Sequence, residues 1–387
     1  DEYGRTVYSK RNEGLREEGK GGKDKQCAME RVNLLLIIHG YEFATQRTPV
    51  FLRSALAART SPLHVHVLGD SDGIRGFKEV WNDGVKADLA WAPPDGDALS
   101  LLEESALDDR ITPYLQSIHP SCHLNGYAYL FLKILAAELL PSVERLIVVD
   151  PDVIVLGDLA ELYREFDYFD DEQLLSMAAD QSDRYYYRLQ NKDDDAYSPG
   201  WKGVPFGVGV NGGMLLLHTA RARKVGFAQA IADLTHIGAA ESEAGGLAEF
   251  CKLAEQDTLN LAIARKPQLW RPLHCTWNYM ATNLGGHRLA SDEGEASAPL
   301  TFYDVCKEGV VGSRGAPGDL LQCPCGRKVG VLHFAGGVRG SSLLASINQT
   351  VLSRSGEWLK ESAKLRRARP EWWITSATVS PRGDVVT

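Results

Sequence analysis

The sequence predicts an α/β fold, a doubly wound sheet with helices on its faces. Two features carry the prediction. The chain opens on a strand-helix-strand unit between Arg31 and Asp70, and its later apolar runs are strand-sized, end in or open on Asp, Asn or Gly, and alternate with helical stretches. The size agrees: 387 residues, 44% of them hydrophobic, hold one large α/β domain or two smaller ones around a sizeable core.

Val32 to Ile38 reads as a buried first strand ending at His39 and Gly40, and a glycine there lets a ligand approach the backbone. Thr48 and Pro49 open a helix that runs to Arg59, because Pro at a first helical position gives up only an N–H that has no intrahelical partner. His64 to Leu68 is the second strand, closed by Gly69 and Asp70. Its two His alternate with apolar residues and read as sheet-face or solvent-face residues, not ligands. A helix is expected near Gly76 to Trp81. Between Tyr127 and Leu140 the apolar residues follow a helical pattern, interrupted by Lys133 and Glu138 and stopped by Pro141. The next run, from Arg145 to Val149, suits a strand buried on both faces.

Leu159 to Phe166 reads as a short helix, Leu174 to Ala179 as a strand ending at Asp180, and Val210 to Leu217 as a strand opened by Asn211, Gly212 and Gly213. Gln181 to Gly209 is polar, aromatic and Gly-rich, too long for a simple connection, and is a candidate substrate loop. Glu255 to Asn260 begins a helix. Trp277 and Asn278 close a short strand region, and a final apolar run from Val329 ends in His333, Gly336, Gly337 and Arg339.

A formal net charge of -9 argues against sequence-independent nucleic-acid binding, which rests on a basic surface. No apolar run reaches the length of a membrane span. Residues 1–30, charged and Gly-rich, read as a disordered stem of a processed or truncated protein, and a removed signal or anchor would leave no trace. Seven cysteines and one sequon at Asn348 tilt the reading towards the secretory pathway. Cys306, Cys323 and Cys325 lack the paired spacing of a zinc site and read as disulfide partners.

The chemistry concentrates after Val149. Asp150 and Asp152 stand one residue apart at a strand's end, where extended backbone turns i and i+2 to one side, so the pair suits a hard divalent cation shared with phosphate oxygens. An ordinary Asp-Pro-Asp turn is the plainer reading. Lys133 either snorkels to water or pairs with a phosphate. Asn211, Gly212 and Gly213 either admit a ligand close to the main chain, with Asn211 reading a hydroxyl or amide, or form a bulge. Gln256 and Asp257 lie in a first helical turn, where a carboxylate also serves as a cap. His333 either completes a metal site or is structural, and Arg339 is a candidate phosphate clamp.

Taken together these residues resemble glycosyltransferase family 8, retaining nucleotide-sugar enzymes of the GT-A fold. The likeness runs from about Val32 to Arg339. Asp150-Pro-Asp152 matches the metal-binding Asp-x-Asp, Asn211-Gly-Gly the Asn-x-Gly segment, Gln256, Asp257 and Asn260 the Asp-Gln-Asp-x-x-Asn block, and His333-x-x-Gly336-x-x-Arg339 the terminal His-x-x-Gly-x-x-Lys. Within the family it is most similar to the xylosyl-transferring domain of LARGE-type enzymes and to glucoside and xyloside xylosyltransferases, through Ser61 to His66, Asp180 to Asp183 and Cys275 to Asn278. Glu255, Arg339 and Gly340-Ser341 depart from the family's Asp, Lys and Pro-Trp.

The resemblance implies a GT-A type Rossmann-like mixed sheet over residues 31–345 and a C-terminal extension over 346–387. It implies Mn2+, with Mg2+ as the alternative, on Asp150, Asp152 and His333. A UDP-sugar donor would contact His39, Gly40, Lys133, Asp150, Asn211, Gly212, Gly213, Gly336 and Arg339. Asp257 and Gln256 would be catalytic, and Asp180, Trp277 and Asn278 would line the acceptor side. The reaction expected is transfer of a sugar, xylose first and glucose or galactose after it, to a glycan or glycoprotein acceptor. A non-catalytic carbohydrate-binding protein on the same fold is the alternative. The Golgi or endoplasmic reticulum lumen is the expected place, with a membrane engaged only through a missing N-terminal anchor, no nucleic-acid partner, and glycosylation at Asn348.

Overall fold

The computed structural model describes residues 31–84, 97–180, 209–244, 250–280, 330–333, 378–379 and 385–386. The segment read as a stem, nearly all of the C-terminal extension, and Cys306, Cys323, Cys325, Gly336, Arg339 and Asn348 lie outside those residues.

Short apolar runs of alternating orientation build the centre. In strand β1, Val32–Ile38, the side chains of Leu35 and Ile37 join one apolar cluster and those of Leu34, Leu36 and Ile38 another. Strand β4, Leu146–Val149, divides in the same way, with Leu146 and Val148 on the first face and Ile147 and Val149 on the second. Each fully buried aliphatic side chain contributes about 1.5–3 kcal/mol by leaving water, so two covered faces explain runs with no polar alternation.

Seven strands form the main sheet in the order β3-β2-β1-β4-β7-β6-β8. Here β2 is Leu63–Gly69, β3 Ala98–Glu103, β6 Leu175–Ala179, β7 Val210–Leu217 and β8 Trp270–Leu273. Strand β1 is parallel to β2 and β4, whereas β7 is antiparallel to both β4 and β6. The sheet is therefore mixed, with one reversed strand. Because β1 and β4 run the same way, the ends carrying His39-Gly40 and Asp150 open on one edge. Helices Tyr41–Ala58 and Ser71–Glu79 contribute to the second cluster, and helices Leu132–Leu139, Phe227–Glu243 and Glu255–Arg265 to the first.

The first helix starts earlier than Thr48-Pro49. It runs Tyr41–Ala58 with Pro49 inside it. Ala44 packs in the same cluster as Phe51, Leu52 and Ala55, so burial carries the helix through a residue that cannot donate to Thr45. Two further expectations change in detail. A 3-10 helix, Pro120–Phe131, precedes helix Leu132–Leu139 where one continuous helix was expected. A 3-10 turn, Cys275–Asn278, stands where Trp277 and Asn278 were expected to close a strand.

A second, three-stranded sheet has the order β5-β10-β9, with β5 Val153–Val155, β9 Tyr279–Met280 and β10 Val331–His333. His333 pairs with Val153 across an antiparallel ladder and with Met280 across a parallel one. The sheet is pinned at several points. Ser54 Oγ accepts from Val155 N at 2.9 Å, and Gly330 O accepts from Leu156 N and Gly157 N at 2.7 and 2.8 Å. The Trp277 ring lies against Gly157 and Gly330, where a Cβ at Gly330 would fall 2.5 Å from it. Residues 378–379 and 385–386 form a small antiparallel ladder.

Candidate active site

Asp150 follows β4, Asp152 precedes β5, and His333 ends β10. The register of His333 with Val153 brings a residue from far along the chain beside Asp152. One ligand atom from each of the three lies within 4.8 Å of the others, a spacing that could hold a metal ion. His333 Nε2 stands 3.4 Å from Asp152 Oδ1. Asp152 Oδ1 and His333 Nδ1 are both buried without a hydrogen-bond partner, and buried polar atoms left in that state call for an explanation such as a bound ion. Two carboxylates and an imidazole, with unsatisfied atoms among them, form a donor set that fits a divalent cation.

The electrostatics tie the trio together. Burial opposes charge on His333, yet the Asp152 carboxylate beside it outweighs burial, and the imidazole's pKa is raised. Burial likewise pushes the Asp152 carboxyl up, and His333 more than reverses this, leaving it below the usual range. Gly213 makes room for the ring: a Cβ there would lie 2.0 Å from His333 Cε1. Its carbonyl also accepts from Asp150 N at 3.0 Å.

Behind Asp150 lies a buried cation. Lys133, only 3% exposed, donates to Glu255 Oε1 at 2.8 Å and to Gly212 O at 3.1 Å, and pairs with Asp150 Oδ1 at 2.8 Å. It does not snorkel. Burial alone would lower its pKa, but the charges of Asp150 and then Glu255 raise it, so the ammonium stays charged. Burial raises the Glu255 carboxyl, Lys133 offsets only part of that, and the like charge of Asp150 adds to the rise.

A polar network adjoins this cluster. Gln256 accepts from Gly212 N at 2.7 Å and donates to Asp180 Oδ2 at 2.9 Å. Asn211 donates to the same Asp180 oxygen at 3.3 Å, while its own Oδ1 accepts from Gly213 N and Asn278 Nδ2, each at 2.9 Å. Asn260 locks the helix to β7 by accepting from Val210 N at 2.7 Å and donating to Val210 O at 3.1 Å. Asp257 is fully buried, and its Oδ2 accepts from Leu253 N at 3.0 Å. Gln256 therefore faces the Asn211–Asp180 side.

At the other end of the edge, His39 stacks on Tyr129 with ring centroids 4.2 Å apart and pairs with Glu104 at 2.5 Å. Gly40 has φ +81, and its N–H donates to Asp70 Oδ1 at 2.9 Å. Asp70 also caps the helix Ser71–Glu79 through Gly73 N. Sequence reasoning did not assign Glu104, Tyr129 or the Glu255–Lys133 pairing. Only Glu255 carried a signal, its position next to Gln256. The His64 and His66 rings lie tilted against each other within the sheet, with centroids 3.9 Å apart.

Residues 110–302 match the family model described as glycosyl transferase family 8. Xylosyl- and glucuronyltransferase LARGE2 of Mus musculus is 28% identical over 249 residues, which cover 64% of this chain and 32% of that protein. Xylosyl- and glucuronyltransferase LARGE1 of Homo sapiens is 28% identical over 274 residues, 69% of this chain and 33% of that protein. The matches thus span about a third of the length of these curated relatives. Mouse xyloside xylosyltransferase 1 superposes with a TM-score of 0.56 at 18% identity, covering 81% of this chain and 99% of the other, a likeness of fold. With its mixed sheet of GT-A type and its family match, the chain belongs to glycosyltransferase family 8.

Proposed function

We propose that the chain is a Mn2+-dependent retaining glycosyltransferase that moves a sugar, xylose first, from a UDP-sugar to a glycan or glycoprotein acceptor. The observation that carries this reading is the convergence of Asp150 and Asp152, from the β4–β5 connection, with His333 from a segment far along the chain, with unsatisfied buried atoms between them, beside the Asn211, Gln256 and Asp180 network. Asp150, Asp152 and His333 would hold the cation. Two carboxylates with one imidazole suit Mn2+, and Mg2+ would need more water in its shell. When bound, the cation supplies Lewis-acid stabilisation of the departing diphosphate.

The chain's own residues do the rest. Asn211, Gln256 and Asp180 would hold donor hydroxyls through the acceptor and donor atoms they now share with one another. Asn278 and Trp277 would lie on the acceptor side. His39 and Gly40 would meet the nucleotide, Gly212 and Gly213 let the main chain approach the sugar, and Gly336 with Arg339 take the phosphates. Lys133 would serve the donor through Asp150, since each of its three N–H groups faces an acceptor. Gln256 is the better placed of the two proposed catalytic residues, while Asp257 supports the turn ahead of it.

For the compartment we favour the Golgi or endoplasmic reticulum lumen, with anchoring, if any, N-terminal to residue 31 and a glycan at Asn348. The buried Cys122–Cys251 disulfide supports an oxidising location. Among the described residues no helix is long and apolar enough to cross a membrane. The deciding experiment incubates the protein with UDP-xylose, UDP-glucose and UDP-galactose, with and without Mn2+ and a glycan acceptor array, and reads product anomers by NMR. Carbohydrate binding without turnover of any donor would replace the reading by a non-catalytic one, and an inverted product would remove retention.

A further inference from the structure

Two segments distant in sequence are joined twice. The 3-10 helix Pro120–Phe131 carries Cys122 near its start and runs into helix Leu132–Leu139, which carries Lys133. Residues 250–254 lead into helix Glu255–Arg265. Cys122 and Cys251 form a disulfide across 129 residues, and both are buried. Lys133 and Glu255 meet at 2.8 Å. The segments therefore close into a ring, covalent at one end and ionic at the other.

Between the two links the backbone is unusual. Cys251 has φ 65 and Ala254 φ 48, the two non-glycine residues with positive φ among the described residues. L-residues rarely adopt such conformations, which persist only where their surroundings hold them. Here the disulfide holds Cys251, Ala254 N donates to Cys251 O at 3.1 Å, and Asp257 Oδ2 accepts from Leu253 N at 3.0 Å. The turn passes directly into the helix at Glu255, so Glu255 and Gln256 take their direction from it. Those two residues engage Lys133, Gly212 N and Asp180.

We propose that the Cys122–Cys251 disulfide is a positioning element of the donor site: it fixes the Cys251–Ala254 turn and thereby aims Glu255 and Gln256. The inference rests on the glycosyltransferase reading above. A disulfide that only stabilises acts chiefly by restricting the unfolded chain and is indifferent to the turn it ends on. Opening this one should instead impair sugar placement while the sheet stays folded.

The test compares wild type with Cys122→Ala/Cys251→Ala, well below the melting temperature of each. Expected are a loss of kcat/KM for sugar transfer of roughly tenfold to a hundredfold, UDP affinity within about threefold of wild type, and faster amide exchange in peptides spanning 251–257 and 210–213. A lower melting temperature with unchanged kinetics and exchange overturns the proposal. If wild type turns over no UDP-sugar, the functional reading fails, and amide exchange alone decides the positioning claim. Should the first variant not fold, Cys122→Ala/Cys251→Asn keeps a residue that tolerates the left-handed backbone. Failure of both to fold counts against the proposal, because the bond would then be a condition of the fold and not of the site.

Discussion

Replacing Lys133 by Met would remove the ammonium while keeping most of the buried stem. Three acceptors lose their donor at once: Asp150 Oδ1, Glu255 Oε1 and Gly212 O. They are not equally able to turn to water, since the Asp150 side chain is 28% exposed and that of Glu255 only 3%. The cost falls mainly on Glu255, which is left as an uncompensated buried charge. Breaking a buried pair from one side typically costs about 3–5 kcal/mol, and in a domain of this size that lowers the melting temperature by on the order of 10 °C.

The sign of the pH dependence follows from the same carboxylate. Burial already raises its pKa, and without Lys133 the rise is larger. A carboxyl whose folded pKa exceeds its unfolded value is protonated at no cost below both and penalises the fold as pH rises through the interval. The variant should therefore lose more stability at pH 8 than at pH 5. Urea unfolding followed by tryptophan fluorescence at the two pH values measures this, and adding Glu255→Gln to Lys133→Met should recover part of the loss. A loss below about 1 kcal/mol, equal at both pH values, would mean that water solvates Glu255 and would refute the argument.

Other outcomes are expected from the same geometry. Asp152→Asn should remove most Mn2+ affinity and nearly all transfer with little change in fold, and His333→Ala should raise the Mn2+ concentration needed for half-maximal activity, both readable by Mn2+ titration with electron paramagnetic resonance. Gln256→Ala should lower turnover by roughly a hundredfold, whereas Asp257→Asn should cost about 1 kcal/mol of stability and less turnover than Gln256→Ala. His66 is buried, and burial, then His64, holds its pKa down at about 3. A depressed His pKa supports the fold above the unfolded value and loses that support as pH falls towards the folded one. His66→Gln should thus be spared about 2 kcal/mol of the loss between pH 6.5 and 5, measured by chemical denaturation at each pH.

The parts legible in the sequence share a physical cause. Strands β1, β4 and β7 are buried on both faces, so their apolar runs stand out. Asp150 and Asp152 were legible through their i, i+2 spacing, which depends only on local backbone. Strand β3 was not, because all six of its residues are half-buried and Ala-Leu-Ser-Leu-Leu-Glu shows no sharp alternation. Pro49 misled because tertiary burial outweighed a local preference. The Lys133 partner Glu255 sits on a helix more than a hundred residues away, and no local pattern encodes that pairing. Cysteine connectivity is equally silent: Cys122 and Cys251 carry no spacing signal, while the more conspicuous Cys323 and Cys325 drew attention instead.

The middle position of β10 in the small sheet has a bearing on how the protein is made. Asp150 and Asp152 leave the ribosome long before His333, and at roughly 5–20 residues per second the interval is about 10–40 s. During that time β1, β4 and β7 are available to fold, but β5 and β9 have no strand between them to pair with. The two carboxylates must then wait, close together and without their imidazole. A nascent chain at this stage would resemble the finished sheet while lacking its third proposed cation ligand, so cation affinity should switch on late in synthesis, after β10 has inserted.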